Sequence, residues 1–420
     1  MDADQMSLRD AFLSSPMYKE MESVLAGGRP LASSSAKRHH FVPAMVLPNF
    51  ASDDAGSLVY QLDRHAGAPR QVPISRAASR RNLYTLADAD GTQHRRIETW
   101  LAEVEGHAAT AIRALFSDPR RVTRNDAATI AMFIAMLMVR TPAAAEAERK
   151  RVDQAMRIKL ACRLADPEAF AERGIGDEAL RQRTLEGLRD GSVAYPEEDQ
   201  VGLRTGFDRL GADSQLIYQL QWTLLLTDEG SFITSDRGIA MYDPELPWPW
   251  TGNGLNSSPT AETTVPLSSQ ACLLLTPGGS WSGRAVRHIG RSQVDTVNLR
   301  TYGWSDRHLF GENQALLDHV RRQARATPKR VPRPRPVRNV ITLPARPGDD
   351  QFAATNRRRG WPEQVPIKDV QHDYRVLEID ENPVDVCLDV WATAARRGKG
   401  RRPVLGMIPR ETPHSAPDGL

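Results

Sequence analysis

Residues 125–140 read NDAATIAMFIAMLMVR, and the fold turns on the nearly unbroken apolar run Ala127–Val139 inside this stretch. The run has 13 residues, whereas a helix that crosses a bilayer needs about 20. It therefore reads as a helix buried in a soluble protein. Asn125 and Asp126 are good N-cap residues for its start. Thr141-Pro142 stops or kinks it, with Arg140 closing its last turn.

Working outward, Ile97, Leu101, Val104, Ala108, Ile112 and Leu115 recur at intervals of three and four, which predicts a helix from about Arg95 to Phe116. Ser117-Asp118-Pro119 ends it. Residues 144–190 are charged and helical in character, interrupted at Gly174 and Gly176, and Asp213–Leu226 reads as one more helix. The character then changes. Ser231–Asp236, Val265–Thr276 and Ala285–Leu299 read as strands, Asp306–Val320 as a helix, and residues 56–86 as short strands or a hairpin. Helices first and strands later predict an α+β fold, with a helix-rich N-terminal half, an antiparallel or mixed sheet from about 230 to 300, and a basic C-terminal extension.

The chain has 420 residues, 40% hydrophobic and 25% charged, with a net charge of +3. That size permits a sizeable core and several domains. The divisions expected are a preamble over 1–36, with one amphipathic helix from Leu8 to Leu25, and a main domain over 37–320. A basic Pro/Arg-rich linker over 321–360 and a small segment over 361–420 follow. Within 321–360 there are twelve Lys or Arg against two Asp, and 396–402 reads RRGKGRR. Tyr374–Ile379 and Val384–Trp391 read as a small strand and helix. Cys162, Cys272 and Cys387 are far apart and form no CxxC pair, which argues against a disulfide framework or a cysteine zinc site and for a cytoplasmic location. The acidic start Met1–Asp4 lacks the apolar run of a signal peptide. There is no phosphate-binding GxxxxGK[ST] loop, no GxGxxG fingerprint and no GxSxG nucleophile elbow.

The chemistry points to Lys37-Arg38-His39-His40-Phe41-Val42-Pro43. Imidazoles bind metals and move protons near neutral pH. Pro43 disfavours a helix before it, and on an extended segment the two rings point to opposite sides. One ring is thus expected to reach a site while the other packs or orients it.

His39-His40-x-Val42-Pro43, followed by Leu47 and Phe50, resembles the HHxVPxxYLxxF signature of the widespread bacterial domain-of-unknown-function family 4238. Ile233-Thr234-Ser235-Asp236 resembles its ITSDxP motif, and Pro266-Leu267-Ser268 its PLS motif. Order and spacing agree over roughly residues 37–310. Val46 stands at the signature's tyrosine, which removes a hydroxyl, and Gly238 at the proline of ITSDxP. The resemblance implies a fold and a site, not a reaction.

The candidate constellation is His39, His40, Glu98, Glu105, Arg140, Asp236 and Asn298. Glu98 and Glu105 lie two turns apart on one helix face. His39, His40 and Asp236 are candidates as catalytic groups and as ligands of a divalent metal cofactor, with ligand chemistry suited to Zn, Mn or Fe. Without a metal, one His acts as acid or base with Asp236 orienting it. Arg140, Ser235 and Asn298 are candidate substrate-binding residues, Arg140 because a guanidinium matches phosphate bidentately. Arg357, Arg358 and Trp361 pair a cationic run with an aromatic ring that can stack on a base.

Three readings follow: a nucleic-acid- or nucleotide-processing enzyme (a nuclease-like hydrolase with metal-assisted phosphodiester cleavage), a hydrolase or transferase acting on a small molecule or peptide, and a non-catalytic nucleic-acid- or partner-binding protein. Against each candidate stands an ordinary structural role, as a solvated helix edge, a capped turn or a packed histidine.

Overall fold

The computed structural model describes Lys19 and residues 38–43, 45–84, 86–87, 93–94, 96–164, 178–193, 201–243, 255, 260–279, 285–326, 340–344 and 372–376. Backbone proximity divides the chain into a larger unit (Met1–Arg149, Asp199–Pro332 and Pro413–Leu420) and a smaller one (Lys150–Glu198 and Arg333–Thr412).

The chain begins with β1 (Arg38–His40) and a 3-10 turn at Leu47–Phe50. The hairpin β2 (Leu58–Asp63) and β3 (Ala66–Pro73) follows, then β4 (Ser79–Arg81), β5 (Leu86–Ala87) and β6 (Gln93–His94). The helices α1 (Arg96–Ser117), α2 (Arg124–Val139), α3 (Pro142–Leu164), α4 (Glu178–Asp190), α5 (Val201–Asp208) and α6 (Leu210–Tyr218) come next. The strand-rich region holds β7 (Gln221–Leu226), β8 (Thr234–Ser235), β9 (Ala240–Tyr242), β10 (Glu262–Pro266), β11 (Ala271–Thr276) and β12 (Ala285–His288). It is followed by α7 (Arg291–Trp304), β13 (His308–Gly311) and α8 (Gln314–Ala326), and then by β14 (Val340–Pro344) and β15 (His372–Val376) of the smaller unit.

The architecture is α+β. One sheet has the order β12-β7-β11-β10-β9 and is mixed: β12 runs parallel to β7, and the other pairs are antiparallel. A second sheet, β3-β2-β13-β8, is antiparallel throughout. Strands β1 and β4 form a separate antiparallel ribbon.

The apolar run of α2 lies at the centre of the core. Residues Ile130 to Leu137 are all buried, with α1 and α6 packed against the helix. The helix starts one turn's edge earlier than the cap residues suggested. Thr123 is the N-cap and Asp126 sits at the third helical position, each accepting from the other's backbone N–H in a capping box. At the other end Thr141 caps α3 by accepting from the Ala144 N–H at 3.0 Å, and Pro142 begins that helix. The two axes bend by 69° there, and among the described residues no single helix is long and apolar enough to cross a membrane.

Four expected elements differ. Val265–Thr276 is not one strand but the end of β10, a turn at 267–270 and β11, and Asp306–Val320 holds β13 before α8 begins at Gln314. Asp213–Leu226 is not one helix: α6 ends at Tyr218, and 221–226 is a strand paired with β11 over its whole length. The four-residue spacing of Leu216, Leu220 and Leu224 suggested a helix. Trp222 and Leu224, however, are buried with the period of two that a strand requires. Ala285–Leu299 is a strand only to His288. Beyond it Val294, Val297, Asn298, Thr301 and Tyr302 are buried at helical spacing on α7. The amphipathic helix expected over Leu8–Leu25 and the helix expected over Val384–Trp391 lie outside the described residues, apart from Lys19.

Candidate functional site

The three sequence motifs meet at one residue's backbone. The Ser269 N–H donates to the Asn49 carbonyl at 3.0 Å, and the Ser269 carbonyl accepts from the Phe232 N–H at 2.8 Å. Asn49 lies on the turn after the histidines, Phe232 immediately precedes Ile233–Asp236, and Ser269 follows Pro266–Ser268. The Asn49 side-chain amide adds a bond to the Leu267 carbonyl at 2.9 Å.

The side chains of these motifs nevertheless serve two separate centres. The first is built around Arg140. β1 pairs with β4, and its alternation sends the histidine rings to different environments: His39 is fully buried, His40 half-buried. His39 Nδ1 accepts from the Tyr84 N–H at 2.9 Å, so in the neutral ring the proton sits on Nε2. Its ring also stacks parallel to Tyr84, with centroids 5.5 Å apart. The Tyr84 hydroxyl donates to the Arg140 carbonyl at 2.7 Å. Burial, opposed by the nearby Arg140 charge, pushes the tyrosine pKa up to about 12.

Because α2 stops at Val139, Arg140 is its C-cap, and its guanidinium turns toward β1 and α1. Nη1 donates to Glu105 Oε1 at 2.7 Å, and Nη2 to the His40 carbonyl. The Arg140 side chain is 2% exposed and that of Glu105 17%. Burial works against the arginine's charge, but Tyr84 and Glu105 outweigh it and raise its pKa above the usual guanidinium range. Glu98, two turns before Glu105 on α1, lies close enough for its charge to act on Tyr84. His39, His40, Glu98, Glu105 and Arg140 thus lie in one cluster, with Tyr84 at its middle.

The second centre is Asp236, on the turn after β8. It is 4% exposed, and its carboxylate accepts from the backbone N–H groups of Asp306, Arg307 and His308 at 2.9, 2.6 and 2.8 Å. Burial first, and then the neighbouring Asp306 carboxylate, push its pKa up to about 6 against the pull of these three amides. Arg237 pairs with Asp306 at 2.7 Å. The turn uses Gly238 at φ 68°, which a proline ring, fixed near −65°, cannot adopt. A Cβ at Gly238 would lie 3.2 Å from Leu137, one turn before Arg140 on α2. The turn therefore rests on the same helix end while its carboxylate serves another purpose.

The metal set His39, His40 and Asp236 is not assembled. Among the described residues no three His, Cys, Asp or Glu side chains gather closely enough to hold an ion. The physical reason is prior commitment: His39 Nδ1 is taken by the Tyr84 amide and both Asp236 oxygens by backbone amides. Asn298 is on α7 rather than on a strand. Its Oδ1 accepts from the Ile233 N–H and its Nδ2 donates to the Ser231 carbonyl, both at 2.9 Å, so its amide positions the approach to β8. Ser235 is buried, its Oγ accepting from the Arg237 N–H at 3.3 Å. Arg140 faces Glu105 and a carbonyl rather than an open anion site. Arg357, Arg358 and Trp361 lie outside the described residues. Tyr84, central to the first cluster, belongs to no motif. Its only sequence signal is that a buried tyrosine hydroxyl needs a partner.

No curated protein and no solved structure matches the chain. The family described as "Protein of unknown function (DUF4238)" matches residues 38–315, which hold both centres and all three motifs, and the chain belongs to that family.

Proposed function

We propose that the chain is a hydrolase of phosphodiester or related phosphate bonds in nucleic acid or nucleotides, working at the Arg140 cluster. The observation that carries this reading is a buried guanidinium holding the Glu105 carboxylate and the β1 backbone in place while His40 and Glu105 themselves are only partly buried. A buried ion pair is a poor route to stability, so its presence here calls for another role. In this reading Glu98 gives a proton to the leaving oxygen, and His40 takes one from the attacking water beside the Glu105 carboxylate. Arg140 positions both without touching substrate, and His39 and Tyr84 fix the ribbon from behind. The basic stretches 321–360 and 396–402 supply attraction for a polyanion.

A second reading is favoured by where the bonds go. Tyr84 N–H to His39, and Arg140 to the His40 carbonyl, are the bonds of a clamp between segments, and a non-catalytic cluster would be built the same way.

The deciding experiment incubates the purified chain with DNA and RNA oligonucleotides, dinucleotides and nucleoside triphosphates, with EDTA and with Mg²⁺ or Mn²⁺. Hydrolysis that disappears in His40→Ala and Glu98→Gln, at unchanged melting temperature, is the expected outcome. Absence of cleavage under every condition, or loss of folding in parallel with loss of activity, rejects the enzyme.

A further inference from the structure

The ribbon that carries the histidines also carries an unbalanced positive surface. From Arg64 to Tyr84 the chain has five arginines and no aspartate or glutamate. Arg64 turns inward and donates to the Ser305 carbonyl. Arg70, Arg76, Arg80 and Arg81 are exposed. The last three lie within six residues on β4 and the turn before it. β4 is hydrogen-bonded to the histidine strand, with Arg80 opposite His39 and Ser79 opposite His40.

The backbone there is also held in an unusual form. Ala78 and Asn82, the residues on either side of β4, have φ of 47° and 53°, in the left-handed region that side-chain-bearing residues seldom enter. Asparagine tolerates that region; alanine does not. Ala78 is kept there by burial of its methyl group and by the Phe41 N–H, which donates to its carbonyl at 2.8 Å. Non-glycine residues persist in such conformations only where their surroundings impose them, and they cluster at binding and active sites. Here the two residues delimit a three-residue strand whose two arginines are both exposed.

We propose that Arg76, Arg80 and Arg81 form a binding surface for the phosphate backbone of a nucleic-acid strand, and that the strand is laid across the β1–β4 ribbon so that it passes His40. This rests on the hydrolase reading for its account of what happens to the strand, but not for the binding itself. Guanidinium groups match phosphate oxygens in a fork. A strand neutralised by three of them releases counterions in proportion. The surface lies on the ribbon that holds the histidines, so it places a substrate beside the cluster.

The test is fluorescence anisotropy of the full chain with a short labelled DNA or RNA single strand over a range of salt concentrations. The variant is Arg76→Gln/Arg80→Gln/Arg81→Gln, with the triple arginine-to-lysine variant beside it. The glutamine variant is expected to bind about tenfold more weakly or worse at low salt, with the slope of log affinity against log salt reduced by about 2. The lysine variant should keep most of the slope. If the glutamine triple does not fold, the three single changes are each expected to reduce the slope by about 0.7. Unchanged affinity and slope in a folded triple variant overturns the proposal. So does equally tight, arginine-dependent binding of polyglutamate, which would assign the surface to an acidic protein partner. Arginine-dependent binding without cleavage keeps the surface and removes the hydrolase. Cleavage that persists in the triple variant with unchanged binding does the reverse.

Discussion

Around Arg140 charged side chains meet one another, whereas around Asp236 a single carboxylate meets backbone amides. Both are nearly inaccessible to solvent, and both arise from polar residues beside apolar runs. The Asp236 carboxylate is enclosed: three N–H groups from one loop fill its two oxygens, and nothing of that arrangement is left open to a ligand. The Arg140 centre is open at one side, through Glu105 and the half-buried His40. A buried polar residue is thus not in itself a functional sign. What separates the two is whether its partners are backbone groups that close a turn or side chains that can still exchange a proton with something outside.

The comparison breaks most visibly at the arginine. Arg140→Ala leaves the Glu105 carboxylate without its cation and the His40 carbonyl without its donor, and the expected loss is about 3–5 kcal/mol, read from urea denaturation. A loss below 1 kcal/mol would mean that water already reaches the pair and that the centre is more open than the 2% exposure of Arg140 implies.

Asp236→Asn sharpens the other side. An asparagine amide must turn its NH₂ toward at least one backbone donor, and about 1–3 kcal/mol is expected. The pH dependence has a definite sign. The folded-state pKa of Asp236 lies above the unfolded value of 3.8, at about 6. The stability it contributes by titration is therefore fully present below the unfolded value and is lost as pH rises through about 6. The stability gap between native protein and Asp236→Asn should shrink between pH 4 and pH 7, measured by denaturation at each pH. A gap that widens over that range would show that the three amides, not burial, dominate the carboxylate.

The smallest effect is expected at Tyr84→Phe, which removes the short hydrogen bond to the Arg140 carbonyl and the longer contacts of the hydroxyl with Arg140 Nε and the His40 carbonyl, and leaves the ring to stack on His39. About 1 kcal/mol is expected from thermal unfolding. If the variant also changes a pH–rate profile once an activity is in hand, the tyrosine positions the proton-transfer groups rather than only holding the helix end.

How much of this the chain announces in advance differs between the centres. α1 is readable because its stripe from Ile97 to Leu115 keeps one period; the apolar density of Val265–Thr276 marks buried strand but hides the turn at 267–270 that divides it into β10 and β11. The segments after Tyr218 and His288 are ambiguous in sequence because their leucines and valines satisfy two periods at once, and only pairing with β11 and packing of α7 resolve which applies. The histidine doublet and the two glutamates were visible as chemistry. Their meeting with Arg140 was not, since it depends on a helix that ends 100 residues after His40. Asp236 was visible as a turn residue, but the amides that consume it come from a loop about 70 residues away.

The junction at Ser269 and Leu267 has a temporal consequence. Asn49 is joined to a carbonyl 218 residues further along the chain. During synthesis, which runs from the N-terminus, the segment carrying the histidines emerges long before the hairpin turn that anchors it. A nascent chain that stops short of that turn has every residue of the Arg140 cluster yet lacks the tether that fastens the segment, so the polypeptide acquires its finished centre only late in translation.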